Sequence, residues 1–266
     1  MKIQNKLPIY YCEISYINDI INRLSLELNN EYSLYLLHPD LNASNFNLID
    51  NIKSDNNYKI AIHVGNEKRF DSTYYELFDI VFRFYLTENC DYNKIFPINI
   101  GYNSSGKSEV KPKLGLELSK REYDVFFIGN GQLRGNFRNS ISKLKNVSNI
   151  MFTKGFRQGL EIDEYYEKLS NSKICLAPSG LSPETFRYTE GFASGCIVIT
   201  EAKVNSWYYK DSPAIFVDNW SIVNDEFINK ILASDVDNFY KKNLAYYNSK
   251  LSPNANAEYI LKQVKK

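Results

Sequence analysis

Residues 165–200, YYEKLSNSKICLAPSGLSPETFRYTEGFASGCIVIT, decide the fold of this chain. Apolar residues at helical spacing predict a helix over 162–170, and a short apolar run predicts a strand over 173–177. A loop with Pro and Gly follows, and then a second helix over 183–194 and a second strand over 196–200. Strands that alternate with helices in this way are typical of parallel βαβ units.

The alternation extends in both directions along the chain. Towards the N-terminus it predicts a helix over 14–28 and strands over 7–12, 32–37, 58–64, 79–86 and 94–100. It restarts with a strand over 123–128, a helix over 133–145 and a strand over 147–153, and a short strand over 214–217 precedes the last helices. The polar stretch 101–122 interrupts the pattern, which predicts a linker with one short strand over 114–118.

The sequence therefore predicts an α/β fold with two Rossmann-like domains. The first spans 1–110, the linker 111–122 and the second domain 123–233, and C-terminal helices occupy 234–266. The net charge is +1, from 32 Lys and Arg against 31 Asp and Glu, which argues against a nucleic-acid binder. Mean hydropathy of −0.40 and the lack of a signal peptide or an apolar run of about 18 residues predict a cytoplasmic protein.

The four cysteines and two histidines provide no metal or disulfide framework. No two cysteines stand at CxxC spacing, and His38 and His63 are the only histidines. The sequence therefore contains no zinc template, and unpaired cysteines are typical of a reducing compartment.

Two short motifs resemble nucleotide-binding patterns in sequence but lack features that those patterns require. Residues 101–108, GYNSSGKS, fit the phosphate-loop pattern, but Pro112 follows where that motif needs a helix. GNGQLRG over 129–135 resembles a dinucleotide fingerprint, yet its third Gly is one residue late and no acid follows the next strand. A Gly-rich turn of this kind still presents backbone N–H groups to a phosphate or a sugar.

The loop and helix after residue 177 form the candidate site. Ser182 and Pro183 suit the start of a helix, whose free N–H groups would bind an anion. Arg187 and Glu190 then lie three residues apart on one face. An alternative remains open, in which Glu184, Arg187 and Glu190 form an exposed ladder of ion pairs without function.

The stretch resembles the nucleotide-sugar half of GT-B glycosyltransferases, and most closely the exostosin-like family. A second block, FFIGN over 126–130 with Arg138 on the next helix, is similar to the same family, and HVGNE, FDIVFRFY and PINIGY in the first half resemble bacterial relatives. The main matching positions are Ser172, Cys175, Leu176, Pro178, Gly180, Arg187, Glu190, Gly195 and Cys196. The resemblance implies two Rossmann-like domains that face a cleft, with the acceptor on the first and the nucleotide sugar on the second.

The implied activity is transfer of a sugar from a nucleotide sugar to a glycan or lipid-linked acceptor, in synthesis of a bacterial capsule or lipopolysaccharide. Glu190 would hold the donor ribose, and Arg187 would stabilise the departing diphosphate without a metal or other cofactor. The groups expected to assist at the donor are Arg138, Lys154, Arg157 and the turns at Ser179, Gly180, Gly129, Asn130 and Gly131.

An inverting reaction needs a base from the first domain, and the candidates are Glu67 and His63, with Asp40 behind them. The Glu-x7-Glu pattern of many retaining enzymes is absent, because Ser182 stands eight residues before Glu190. The family's last helix often crosses back to the first domain. Lys262, Lys265 and Lys266 on that helix raise the hypothesis of a peripheral membrane contact at the inner face.

Two other functions remain open from the sequence. A non-catalytic sugar-binding protein would keep the same fold, and a nucleotide hydrolase would use the phosphate-loop match over 101–108.

Overall fold

The computed structural model describes residues 1–8, 11–38, 46–65, 67, 74–85, 93–132, 134–155, 158–202 and 204–266. Within these ranges the molecule is a mixed α/β protein with two five-stranded parallel sheets, which confirms the predicted fold class.

The first sheet has the strand order β1-β2-β3-β4-β5. Its strands are β1 (Lys2–Ile3), β2 (Tyr32–Leu37), β3 (Tyr58–His63), β4 (Ile80–Arg83) and β5 (Ile95–Pro97), with helices α1 (Ile14–Glu27) and α2 (Phe46–Ser54). The strand expected over 7–12 is not formed at its described residues 7, 8, 11 and 12, where the Tyr11 N–H donates to the Pro8 carbonyl at 3.0 Å. The helix α2 was not predicted.

Alternate residues of the first sheet face opposite helical layers. Leu34 and Leu36 belong to a core with the buried face of α1, whereas Tyr35 and Leu37 pack with Ile52 of α2. Side chains of a strand alternate between its two faces, and here both faces are covered by helices. The strands therefore appear in the sequence as continuous apolar runs.

The second sheet has the order β10-β9-β8-β6-β7. Its elements are β6 (Tyr123–Asn130), α3 (Gly135–Ile141), β7 (Ser148–Thr153), α4 (Ile162–Ser170), β8 (Ser172–Ala177), α5 (Phe186–Ala193), β9 (Ile197–Thr200), β10 (Ile215–Phe216) and α6 (Asp225–Leu232). Strand β7 pairs with one edge of β6, and β8 pairs with the other edge. The strand order therefore reverses between β6 and β8, and open α/β sheets bind ligands beyond the carboxyl ends of such strands.

The segment between the sheets carries no strand. The strand expected over 114–118 is wrong, because the Gly115 N–H donates to the Ser194 carbonyl and the Arg121 guanidinium binds the Leu116 carbonyl at 2.7 Å. No helix follows the phosphate-loop match within 101–117, and the Lys107 ammonium lies 3.9 Å from the Glu161 carboxylate. The geometry that a phosphate loop needs is therefore lacking.

The last two helices connect the second sheet to the first. Helix α7 (Val236–Tyr246) leads through a π-helical turn (Tyr247–Leu251) into α8 (Pro253–Val264). Ala257, Ile260, Leu261 and Val264 of α8 are buried in the same core as α1. In the described part of the chain, no helix is both long and apolar enough to span a bilayer.

Candidate active site

Arg187 occupies the point where the strand order of the second sheet reverses. Its guanidinium donates to the Ile128 carbonyl from Nη2 at 2.6 Å and from Nε at 3.1 Å, and it lies 4.7 Å from the centre of the Phe127 ring. Helix α5 begins at Phe186, so the expected start at 183 is wrong. Glu184 accounts for the delay, because its buried carboxylate accepts from the Tyr208 hydroxyl at 2.6 Å within an irregular loop. Arg187 therefore stands in the first turn.

Two glycines at the end of β6 and just after it have close neighbours. A Cβ atom at Gly129 would lie 1.8 Å from Arg187 Nη2, and one at Gly131 would lie 2.7 Å from the Phe152 ring. Real Cβ atoms do not approach other atoms this closely. Gly129 therefore leaves the space in which the Arg187 guanidinium crosses the end of β6.

Arg134 is a further candidate site residue, one that the sequence did not indicate. Its Nε donates to the Ser179 carbonyl at 2.8 Å and its Nη1 to the Asn130 carbonyl at 2.6 Å, so it spans the ends of β6 and β8. Burial, and next the positive charge of Arg187, lowers the pKa of Arg134 to about 10. The group stays charged at neutral pH. Two guanidinium groups at the same end of the sheet are a candidate site for an anion.

The other predicted cations are Arg138, Lys154 and Arg157. Arg138 is exposed on α3, where its guanidinium lies 5.4 Å from the centre of the Phe152 ring. Lys154 is exposed just after β7, and Arg157 falls outside the described residues. The signal that would have found Arg134 is its place directly after the Gly-rich turn, ahead of the helix that carries Arg138.

Two carboxylates accompany the arginines. Glu201, just after β9, accepts from the Ser179 N–H at 2.9 Å. A Cβ atom at Gly180 would lie 3.1 Å from Arg134 Nη2 and 3.5 Å from Glu67 Oε1. Glu67, which follows β3 of the first sheet, therefore lies beside the same glycine as Arg134.

The backbone donors expected at Ser179 and Gly180 are engaged within the chain. The Ser179 N–H binds Glu201, and the Gly180 N–H donates to the Ser182 carbonyl at 2.9 Å. The Asn130 side chain accepts from the Gln132 N–H at 2.8 Å and so shapes the Gly-rich turn. An incoming anion would therefore find the two guanidinium groups of Arg134 and Arg187 rather than these amides.

His63, the other candidate base, is buried at the end of β3 and hydrogen-bonds through Nδ1 to the Tyr75 hydroxyl. Burial, and then the charges of Arg83 and His38, lowers the pKa of His63 to about 3. An imidazole with this pKa is neutral near pH 7 and is a weak proton acceptor. Asp40 lies outside the described residues.

Glu190 is 1% exposed on α5, and the protein surrounds its carboxylate with donors. Oε2 accepts from the Tyr165 hydroxyl at 2.6 Å, and Oε1 accepts from the Asn103 N–H at 3.0 Å and the Tyr166 hydroxyl at 3.3 Å. Burial raises the pKa of Glu190, although these hydrogen bonds oppose the shift. A ribose diol would have to replace the Tyr165 hydroxyl.

The alternative in which Glu184, Arg187 and Glu190 form an exposed ladder of ion pairs on one helix is wrong. Glu184 and Glu190 are both buried, and Glu184 precedes the helix. Within the described ranges, no three His, Cys, Asp or Glu side chains lie together in a way that would hold a metal ion.

The fold has known counterparts among solved structures. A glycosyltransferase from Rickettsia africae aligns with 94% of this chain and 80% of its own, at 16% identity and a TM-score of 0.51. The GtfA/B complex aligns with 92% of this chain at 11% identity and a TM-score of 0.50, and this chain spans 60% of that one. No protein-family model matches the sequence, and no curated protein does. The chain therefore has the fold of GT-B glycosyltransferases, and the likeness at these identities concerns the fold alone.

Proposed function

We propose that this chain is a GT-B glycosyltransferase of the exostosin-like kind. It moves a sugar from a nucleotide sugar to a glycan or lipid-linked acceptor in the synthesis of a bacterial capsule or lipopolysaccharide, in the cytoplasm. The observation that carries the proposal is the pair Arg134 and Arg187 at the crevice between β6 and β8, where open α/β sheets bind nucleotides.

The paired guanidinium groups match the needs of a diphosphate leaving group. When the bond between the anomeric carbon and the diphosphate oxygen breaks, the electron pair stays on that oxygen. Fixed positive charge stabilises the developing anion, and Arg groups bind phosphate oxygens with good geometry. Because two arginines supply this charge, the proposed reaction does not depend on a divalent metal.

Glu67 is the proposed general base, and the outcome is inversion at the anomeric carbon. The carboxylate would accept the proton of the acceptor hydroxyl as that oxygen attacks the anomeric carbon. The position of its carboxylate near Gly180, beside Arg134 and on the side of the first sheet, supports this role. His63 is disfavoured for this role by its burial and its lowered pKa.

Glu190 remains the proposed ligand of the donor ribose, with Lys154 and Arg138 at the outer rim of the donor site. The Tyr165 hydroxyl that now binds Glu190 is a donor that a ribose hydroxyl would replace. Lys262, Lys265 and Lys266 at the C-terminus are the proposed peripheral membrane contact at the inner face.

A donor panel tests the function. Thermal shift against nucleotide sugars identifies the donor, since a ligand that binds the folded state raises the melting temperature. Transfer to glycan and lipid-linked acceptors is then measured with and without EDTA. Turnover that survives EDTA, and that falls at least tenfold in Arg134→Gln and Arg187→Gln but not in the surface control Arg23→Gln, supports the proposal.

Three results would contradict it. Donor binding without turnover on any acceptor would indicate a sugar-binding protein. Turnover that stops in EDTA would refute the metal-independent mechanism. ATP hydrolysis that is lost in Lys107→Ala would indicate a nucleotide hydrolase.

A further inference from the structure

Three groups of the chain itself cover the Glu190 carboxylate. Oε2 accepts from the Tyr165 hydroxyl at 2.6 Å, and among the described residues Tyr165 is the one donor to that oxygen. Oε1 accepts from the Asn103 N–H at 3.0 Å and from the Tyr166 hydroxyl at 3.3 Å. The Glu190 residue is left only 1% exposed. A nucleotide ribose therefore reaches this carboxylate only after one of the three groups has moved.

Tyr165 is the covering group that leads to the surface. Tyr166 is 0% exposed, and Asn103 contributes a backbone N–H. Tyr165 stands in the first turn of α4 and is partly exposed, and its ring meets the Phe126 ring edge-on with centres 5.1 Å apart. A side chain at a helix surface changes between staggered rotamers without a change in the backbone. Tyr165 is thus the group that can uncover Glu190 at the lowest cost.

The Tyr165 hydroxyl also lies within the arginine site. Glu190 follows Arg187 by three residues on α5, so the two side chains are neighbours on the helix. Burial, and next the charge of Glu190, raises the pKa of Tyr165, which the charge of Arg187 partly offsets, so the hydroxyl keeps the proton that it donates. Helices α4 and α5 both belong to the second sheet. The contact between Tyr165 and Glu190 therefore does not depend on how the first sheet is oriented.

The bond that Tyr165 makes is of the same kind as the bond that a ribose would make. Each is a hydroxyl that donates to a carboxylate oxygen, so one replaces the other with little net gain. Affinity is reduced by the fraction of the protein in which a site is not ready to bind, and a hydrogen bond to a charged group that must first be broken lowers affinity about tenfold or more.

We propose that Tyr165 is an internal competitor for the ribose subsite. Its hydroxyl holds Oε2 of Glu190 until a ribose hydroxyl takes its place, and the ring then turns towards solvent. The same exchange in reverse assists release of the nucleotide after transfer. This inference rests on the proposed role of Glu190 as the ribose ligand, and it adds what regulates access to that ligand.

Calorimetric titration of the full-length protein with uridine, guanosine, adenosine and cytidine diphosphates tests the proposal. Tyr165→Phe keeps the ring and removes the hydroxyl, and it should bind the preferred nucleotide about tenfold more tightly than the wild type. The matched control is Tyr166→Phe, which also removes a hydroxyl from Glu190, but from the enclosed side, and it should give no gain in affinity.

The 2′,3′-dideoxy analogue of the same nucleotide tests whether the gain depends on the ribose hydroxyls. A sugar without these hydroxyls leaves room for the Tyr165 hydroxyl on Glu190, so the wild type and Tyr165→Phe should bind the analogue equally. A variant that altered only the shape of the site would change the affinity for both nucleotides.

Several results would overturn the proposal: ribonucleotide affinity in Tyr165→Phe equal to or weaker than in the wild type, an equal gain in Tyr166→Phe, or an equal gain for the dideoxy analogue. Each of them leaves donor binding in place, so the proposed function would stand. Failure of every nucleotide to bind the wild type and Tyr165→Phe would contradict both proposals.

A second measurement needs no loss of the hydroxyl bond. With 3-fluorotyrosine in place of Tyr165 alone, a soluble gadolinium chelate broadens the fluorine signal according to the exposure of the ring. We expect stronger broadening after the preferred ribonucleotide is added, and unchanged broadening after the dideoxy analogue. Unchanged broadening with the ribonucleotide at saturation would show that the ring stays in place, which would overturn the proposal even if Tyr165→Phe did not fold.

Discussion

Gly129→Ala is the sharpest test of the arginine site. The added Cβ would lie 1.8 Å from Arg187 Nη2 and 2.8 Å from its Cζ, so the guanidinium must move. Ordinary contact begins near 3.4 Å, which means a displacement of more than an ångström and loss of the bonds to the Ile128 carbonyl. Because the obstructed atoms are the end of a flexible side chain, the fold itself should survive.

The expected effect on catalysis is large. A misplacement of about 1 Å in a catalytic site costs on the order of 100-fold in rate. We therefore expect kcat/KM to fall about 100-fold, or about 2.7 kcal/mol of transition-state stabilisation. Stability should fall by no more than about 1.5–3 kcal/mol, the net value of hydrogen bonds from a charged donor.

The assay compares Gly129→Ala with Gly135→Ala, measuring kcat/KM with the identified donor and the free energy of unfolding by urea. Gly135 opens α3, and an added Cβ there meets nothing within 4 Å, so this control should retain full activity. Far-ultraviolet circular dichroism confirms that both variants fold. If Gly129→Ala keeps a kcat/KM within twofold of Gly135→Ala, then the position of Arg187 does not govern the reaction, and the assigned site is wrong.

Three further predictions concern buried groups. The pKa of His63 is about 3 in the folded protein against an ordinary value of 6.5, so below pH 6.5 the unfolded chain binds a proton that the folded chain does not, and the free energy of unfolding falls by up to about 1.4 kcal/mol per pH unit. In urea unfolding, the free energy of unfolding of His63→Gln should fall less steeply with decreasing pH than that of the wild type, and equal slopes would contradict this. Glu190→Gln should weaken donor binding at least tenfold if the carboxylate holds the ribose. Calorimetric titration that shows unchanged affinity with reduced stability would restrict Glu190 to its internal bonds with Asn103, Tyr165 and Tyr166. Arg121→Met should lower the free energy of unfolding by about 3–5 kcal/mol, because the buried guanidinium binds the carbonyls of Leu116, Ser172 and Ser194. A loss under about 1 kcal/mol, no larger than in the exposed control Arg138→Met, would contradict a stabilising role of these bonds.

Most of the second sheet could be predicted from the sequence, because its strands are short apolar runs bounded by Gly, Pro and polar residues. Helix α4 has the predicted ends. The errors fall where tertiary contacts override local pattern. Residues 114–118 alternate like a strand, yet their backbone groups bind Ser194 and Arg121 instead of a neighbouring strand. Helix α5 starts later than Ser182 and Pro183 suggest, since Glu184 is drawn into the interior by Tyr208.

The candidate site divides in the same way. Arg187, Glu190 and the turn at Gly129 were accessible from spacing and from resemblance, because a loop after a parallel strand and the first turn of a helix have known places. Arg134 was not, since its role depends on reaching carbonyls at 130 and 179, which only the order of β6 and β8 brings together. The approach of Glu67 to Gly180 likewise depends on how the first sheet faces the second.

The sequence by itself determined that this chain folds into parallel α/β units, and it predicted the turns at which a ligand would bind. Hydrophobic period and turn residues are local properties, so they need no knowledge of distant neighbours. Only the tertiary structure decided which cations meet at the crevice, that Glu190 is buried among tyrosines, and that Asn99 joins the two sheets. These features depend on contacts between residues far apart in the chain, whose burial and charge exist only once the two sheets have packed.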